Sequence, residues 1–281
     1  MAEETTRKHY HHAEAAVLSG NLVLPVIQEI KPLVYAKLPE EGGYLSNRTS
    51  DYRLESVISF RSAYTQVAGN RDVKPGHGWT TLATSVIEGL NVLDVVTADR
   101  VVAQVAADHP LVGYVPSFTF LGTRFENLRI AGHPVKLDLD LNVLGAKPDN
   151  DAPHTRGAGF MERVFRQLGF IREQPDLPVE VAERYNQLPS RSARQESIEC
   201  SLVNQAEGSY PGRSFGHVID VPHFGRIYLA TLQVEQSDFE PDTDTPRQTT
   251  VSLTMLDLRM GCIVGGHASV GALIVNGRTR P

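Results

Sequence analysis

The densest run of oxygen ligands in this 281-residue chain is SDFEPDTDTPRQ, where Asp238, Glu240, Asp242 and Asp244 alternate. Carboxylates at every second position resemble the opening of a calcium loop, in which hard oxygens converge on one cation. The central glycine of such a loop is missing, and Thr249 stands where a bidentate glutamate would close it. Calcium is the one cofactor the sequence raises, against the plainer reading of a solvated hairpin loop. Asp149, Asn150 and Asp151 pose the same choice on a smaller scale.

Other candidate chemistry is sparser. His217 and His223 flank Asp220. In an extended chain the two imidazoles share a face ~20 Å apart, too far for one metal without a tight turn at Pro222. His9, His11 and His12 crowd the start of the chain, but His11 and His12 are adjacent, and no Cys or carboxylate follows at ligand spacing. The stretch 1–14 therefore reads as a polar, His-rich arm in water. His109 and His133 each precede a proline, which suits turns. Gly265-Gly266-His267 is the one Gly-His pair beside an apolar run, and Asp99-Arg100 the one ion pair inside one. Asp138 and Asp140 lie side by side on the wet face of a strand. The chain lacks HExxH, P-loop, GxGxxG and kinase signatures. A hydrolase would have to draw carboxylates from separate strands. The residues favour a protein that does not catalyse.

Composition narrows the partners. Acidic residues outnumber basic ones, 33 to 27, for a net charge of −6. With no Lys/Arg cluster, the footprint of a nucleic-acid binder is missing. No window approaches the ~18 apolar residues of a membrane helix. Residues 1–16 lack the basic-then-apolar pattern of a secretory signal. As written the chain is expected to be cytoplasmic, or extracellular if the N-terminus was trimmed. Cys200 and Cys262 form no framework and read as two buried, reduced thiols, with a single inter-strand bridge as the alternative.

The elements that must position these residues are strands. Val17–Val26, Leu33–Leu38 and Tyr52–Val67 are β-patterned; the last is long enough to need a bend near Ser62. Trp79–Glu88 is a strand broken by Gly89, and Leu90–Ala107 is the next. Its Leu93, Val95, Val101, Ala103 and Val105 alternate onto one face. Its second face carries Val92, Val96 and Val102, too apolar for water, so helices, another sheet, another subunit or a ligand must cover it. Val135–Val143 alternates cleanly. Phe160–Ile171 and Pro178–Leu188 have helical period, with Phe160, Val164, Phe165 and Leu168 on the apolar stripe of the first. Strands resume at Ser197–Gln205, Gly216–Val221, Arg226–Gln236, Thr249–Met260 and Ile263–Val275. The expected architecture is mainly β: a large antiparallel β-sandwich or open barrel with a short two-helix insertion at about 157–190, forming a single domain over 15–281.

Three runs carry a resemblance. The first holds Gly89, Leu90, Leu93, Val96, Thr97, Ala98 and Asp99; the second Phe125, Leu128, Gly132, Pro134 and Val135; the third Val264, Gly265 and Gly266. Together they cover about half the chain and resemble the choice-of-anchor P family of bacterial surface proteins. That family is not known to be catalytic, so the resemblance implies a β scaffold at a cell surface and carries over no functional residues. The signal peptide and C-terminal anchor of the family are not found in this sequence. The function expected from the sequence is a non-enzymatic, structural or self-assembling β protein. The alternative is a scaffold with an apolar cavity for a lipid or other small molecule.

Overall fold

The computed structural model describes residues 8–25, 27–71, 78–186, 190–192, 195–240, 245–262 and 264–280. In chain order the strands are β1 (Lys8–Leu24), β2 (Gln28–Leu33), β3 (Ala36–Lys37), β4 (Gly43–Leu54), β5 (Ile58–Arg71), β6 (Trp79–Val92) and β7 (Val96–His109). Short strands β8 (Ser117–Thr119), β9 (Arg124–Glu126), β10 (Arg129–Ile130), β11 (His133–Pro134) and β12 (Lys136–Leu139) follow. Helices α1 (Ala158–Arg172) and α2 (Val179–Asn186) come next. The rest is β13 (Ser190–Ser192), β14 (Gln195–Ser201), β15 (Val203–Glu207), β16 (Arg213–Phe215), β17 (Val218–Val221), β18 (Gly225–Phe239), β19 (Pro246–Gly261) and β20 (Gly265–Arg280).

Two large antiparallel sheets and a two-stranded pair, β12-β15, form among the described residues. The larger runs β13-β14-β18-β19-β20-β1-β2, and the smaller β11-β10-β7-β6-β5-β4. They stack with β1 and β20 against β5, β6 and β7, so the first and last described strands pair with each other and close the core together. The protein is a mainly β sandwich with a short helical insertion.

The long strands do not keep one two-residue period. Core residues on β6 run Ala83, Ile87, then Leu90, Val92; on β7, Val96, Ala98, then Val101, Ala103, Val105. On β18 they run Ile227, Leu229, then Leu232, Val234, and on β20 Ala268, Val270, then Leu273, Val275. Each strand takes one step that is a residue out of phase. The steps line up across neighbours, where the pairing register is interrupted at Asp51, Arg61, Gly89 and Asp99 in the smaller sheet. In the larger sheet they fall at Ala230, Met255, Gly271 and Val17. Alternate strands place a left-handed residue on this line: Asp51 (φ 53°), Gly89 (φ 66°), Ala230 (φ 43°) and Gly271 (φ 65°). A slip of one residue turns a strand's apolar set to the wrong face. Taken by all neighbours at one level, it creases the sheet and leaves the core face continuous.

Several expectations change here. Leu90–Ala107 is not one strand. It turns at Leu93 (φ 54°) and Asp94 (φ 55°), with Asn91 Nδ2 donating to Asp94 Oδ1 at 2.6 Å and Asp94 N to Asn91 Oδ1 at 2.8 Å. Gly89 breaks no strand; it is the crease residue of β6. Tyr52–Val67 is likewise two strands around a turn, but the expected bend at Ser62 lies on the crease. Val92 and Val96 are fully buried in the core between the sheets. Val102 lies on the opposite face, directly across from Val86 and beside β9, and is also buried within the chain. None of the three is a free face, because the chain itself covers both sides. On α1 the buried stripe is Phe160, Val164, Leu168 and Ile171, while Phe165 is half exposed.

The crease is testable at Gly271. A Cβ there would meet Met255 Cγ at 3.3 Å in a left-handed backbone. Gly271→Ala is expected to cost ~1–2 kcal/mol. Gly261→Ala, where a Cβ meets nothing within 4 Å, should change stability by no more than ~0.5 kcal/mol. Urea unfolding of both variants measures the contrast.

Candidate functional site

Outward positions on the larger sheet form a polar floor. Glu199, Gln233 and Ser252 lie side by side in register, Thr231 pairs with Thr254, Asp257 with Ser269, and Arg259 with His267. Helix α2 crosses this face because Val181 and Tyr185 on its inner side are buried. It brings Arg184 over the floor. Arg184 Nε donates to Glu199 Oε1 at 2.6 Å and Nη1 to Asp257 Oδ2 at 2.8 Å, while the guanidinium carbon stands 4.1 Å from the centre of the Tyr228 ring. Together they enclose a cleft of about 200 Å³.

Asp257 is the hub. Its side chain is 7% exposed and accepts from Arg184, from Arg259 Nε at 3.0 Å and from His267 Nε2 at 3.1 Å. Burial works to raise its pKa, but the His267 and Arg184 hydrogen bonds and both arginine charges hold it far below the ordinary 3.8. Beneath α2, the Tyr185 hydroxyl and His217 Nε2 are 2.7 Å apart. Burial, then the charge of Arg184, push His217 down to about 3, so it stays neutral and can accept a hydrogen bond from the Tyr185 hydroxyl.

Ser269, His267 and Asp257 look like a nucleophile, base and orienting acid. Ser269 Oγ is 3.1 Å from His267 Nε2, the same nitrogen that meets Asp257. An acyl-transfer base must take the serine proton at one nitrogen while the acid holds the other. With one nitrogen meeting both groups, the arrangement does not have the geometry of an acyl-transfer triad.

Of the expected calcium loop, Asp238 and Glu240 are described, and each is taken up by an arginine. Asp238 lies in β18 and accepts from Arg278 Nη2 at 2.7 Å. Glu240 takes a bidentate pair from Arg247 at 2.7 and 2.8 Å. Asp242 and Asp244 lie outside the described residues. Among the described residues no three His, Cys, Asp or Glu side chains are placed to hold a metal ion. His217 is buried and His223 sits exposed in a turn. Asp99 accepts from Asn127 at 2.6 Å, while Arg100 lies 3.8 Å from Glu88. Asp140 pairs with Arg163 at 3.1 Å, and Asn204 donates to Asp138 at 3.3 Å. Cys200 is a buried free thiol that burial pushes upward, but Cys262 is free and exposed.

The His-rich stretch is the largest correction. Lys8–Leu24 is one continuous strand, so alternate residues His9 and His11 turn into the sandwich. There they meet His109, at the end of β7, with ring centres 4.6 Å (His9–His11) and 4.4 Å (His9–His109) apart. Trp79 stacks on His9 at 4.9 Å, and His11 Nδ1 is 2.7 Å from Thr81 Oγ1. His109 is 3% exposed, and its Nε2 has no hydrogen-bond partner. Gly69 and Gly277 make the room: a Cβ at 277 would lie 2.5 Å from His109 Nε2.

Of the cleft, the sequence signalled only His267, through its Gly-Gly-His context. Arg184 and Asp257, 73 residues apart, meet through a helix crossing that no spacing announces. Removing Asp257 takes away one of the two carboxylates that Arg184 meets and leaves Glu199 as the other. Asp257→Ala is expected to cost ~1.5–3 kcal/mol, measured by denaturant unfolding at pH 7. In the wild type this contribution is present above about pH 4 and is lost as pH falls toward the depressed pKa. The variant's stability should therefore depend less on pH in acid.

The family model for a domain of unknown function, DUF8256, matches residues 9–235, from the first buried histidine through most of β18. No curated protein and no solved structure matches. The match spans the smaller sheet, both helices and the Arg184–Glu199 side of the cleft, and the chain belongs to the DUF8256 family.

Proposed function

We propose that this protein is a non-enzymatic β scaffold that binds a small, uncharged, polyhydroxylated molecule in the cleft between α2 and the larger sheet. The observation that carries this reading is the balance of the cleft. Arg184 and Arg259 are offset by Asp257 and Glu199, so the charges neither call for a strong anion nor for a cation. Around them stand the hydroxyl or amide groups of Thr231, Gln233, Ser252, Thr254 and Ser269. Hydroxyls both donate and accept, as do the hydroxyls of a sugar or polyol. The volume lies below the ~300–1,000 Å³ of pockets for drug-sized ligands, which suits a single small polar unit.

This reading takes up the binding alternative from the sequence and changes its chemistry. An apolar cavity would need uncovered apolar walls, whereas this cleft has a polar floor. The second valine face, Val92, Val96 and Val102, is covered by the chain itself and leaves no apolar surface there for assembly.

The test is titration calorimetry against neutral saccharides and polyols, with an amino acid, inorganic phosphate and a fatty acid as the contrasting classes. Saturable binding of a polyhydroxylated compound is expected. The double variant Gln233→Ala, Thr254→Val should weaken it by ~10-fold, the worth of one or two lost hydrogen bonds, with Tm unchanged. Binding of only the fatty acid, or binding indifferent to both substitutions, would overturn the reading.

A further inference from the structure

We propose that the N-terminal end of β1 is an acid-released latch. His9, His11 and His109 hold the two sheets together at one mouth of the sandwich while neutral, and acidification frees residues 8–13 from the facing sheet.

The geometry is that of three buried imidazoles, His9 in ring contact with both His11 and His109, with no carboxylate in the cluster among the described residues. From β5 the cluster is faced by Gly69, and from β6 by Trp79 and Thr81. On β7, Asp108 next to His109 is exposed and accepts from Thr80 Oγ1 at 2.7 Å. On β20, Gly277 meets the rings, and Arg278 beside it pairs with Asp238. From the connection after β3, Gly42 abuts His11, and the Glu40 carbonyl accepts from His11 N at 2.8 Å. Glu40 is the carboxylate at the rim, sharing a surface cleft with His11; Lys8 and Arg71 are exposed cations. Among the described residues no buried carboxylate lines the cluster to pair with a proton added inside. A second would stand within 4.4–4.6 Å of the first.

Burial keeps all three imidazoles neutral. It pushes His9 down to about 3, with His11 adding to the shift, and lowers His11 and His109 as well. Once β1 lifts away, the freed rings return toward their ordinary 6.5 and take up protons. Below about pH 6, each pH unit therefore multiplies the open population by up to ~10 for each histidine released. Opening is local because Lys8 pairs with Arg280 and His9 with Thr279, so both strands of this ladder end here. Strand ends open at far lower cost than a core.

Amide hydrogen exchange of the full chain, read by mass spectrometry from pH 7.5 to 5.0, tests this. Rates are normalised at each pH to the unfolded chain, which removes the intrinsic pH dependence of exchange. Peptides covering residues 8–13 are expected to lose protection steeply below pH 6.5, while β6 and β19 keep theirs. In His9→Gln and His109→Gln the pH dependence should flatten by one proton each, whatever their stability at pH 7.5. Uniform loss of protection across both sheets would overturn the proposal, as would none at residues 8–13. Imidazole NMR of the wild type is an independent arm: titration of all three rings near 6.5 in the closed protein would also overturn it.

Discussion

A single out-of-phase step in the apolar period, taken by neighbouring strands at the same level, is the constraint on which this sandwich depends. Strands of 14 to 17 residues span roughly 45–55 Å at ~3.3 Å per residue. Over that length the natural twist of strands accumulates. The creases at Asp51–Arg61–Gly89–Asp99 and at Ala230–Met255–Gly271–Val17 interrupt each sheet at one level. Because partners slip together, hydrogen bonding resumes beyond the line and the apolar residues still point inward. The polar floor under α2 is set by the same event. Ser252 and Thr254 face outward before the step in β19, and Asp257 and Arg259 after it, so residues of opposite parity share one cleft.

This also explains how much of the fold could be read from the chain. Composition, β-branched content and the two helical periods identify the class and the insertion, since those signals are local. Strand boundaries were harder where the turn residues were unorthodox. Leu93 and Asp94 turn a hairpin without glycine, so Val92 and Val96, which face each other across it, looked like neighbours on one exposed strand face. A phase slip looks the same in sequence as a strand with two apolar faces. The bend at Ser62 was visible because Tyr52–Val67 was too long to be straight. Its counterparts in β18 to β20 were hidden, since no length argument flagged them.

The site was less legible than the fold, for a physical reason. Local acidic density points to Asp238 and Glu240, but each is satisfied by one arginine, Arg278 of β20 and Arg247 of the adjoining β19. Asp257 stands in the apolar run TMLDLRM, where an isolated carboxylate looks incidental; only Arg184 and His267 give it meaning. The N-terminal histidines were judged by adjacency, as ligands or as a tail. Their alternation along a strand is the informative property, because it separates a buried pair from the half-buried Tyr10 and His12.

The creases also limit how this family can vary in length. Losing one residue from a single long strand would invert that strand's faces beyond the deletion while its neighbours kept theirs. Only paired losses at the same level, or losses confined to the hairpin turns, leave the core facing itself. Natural insertions and deletions should therefore gather in the connections and skip the middle of the ladders. A designer lengthening these sheets would have to edit whole transverse rows.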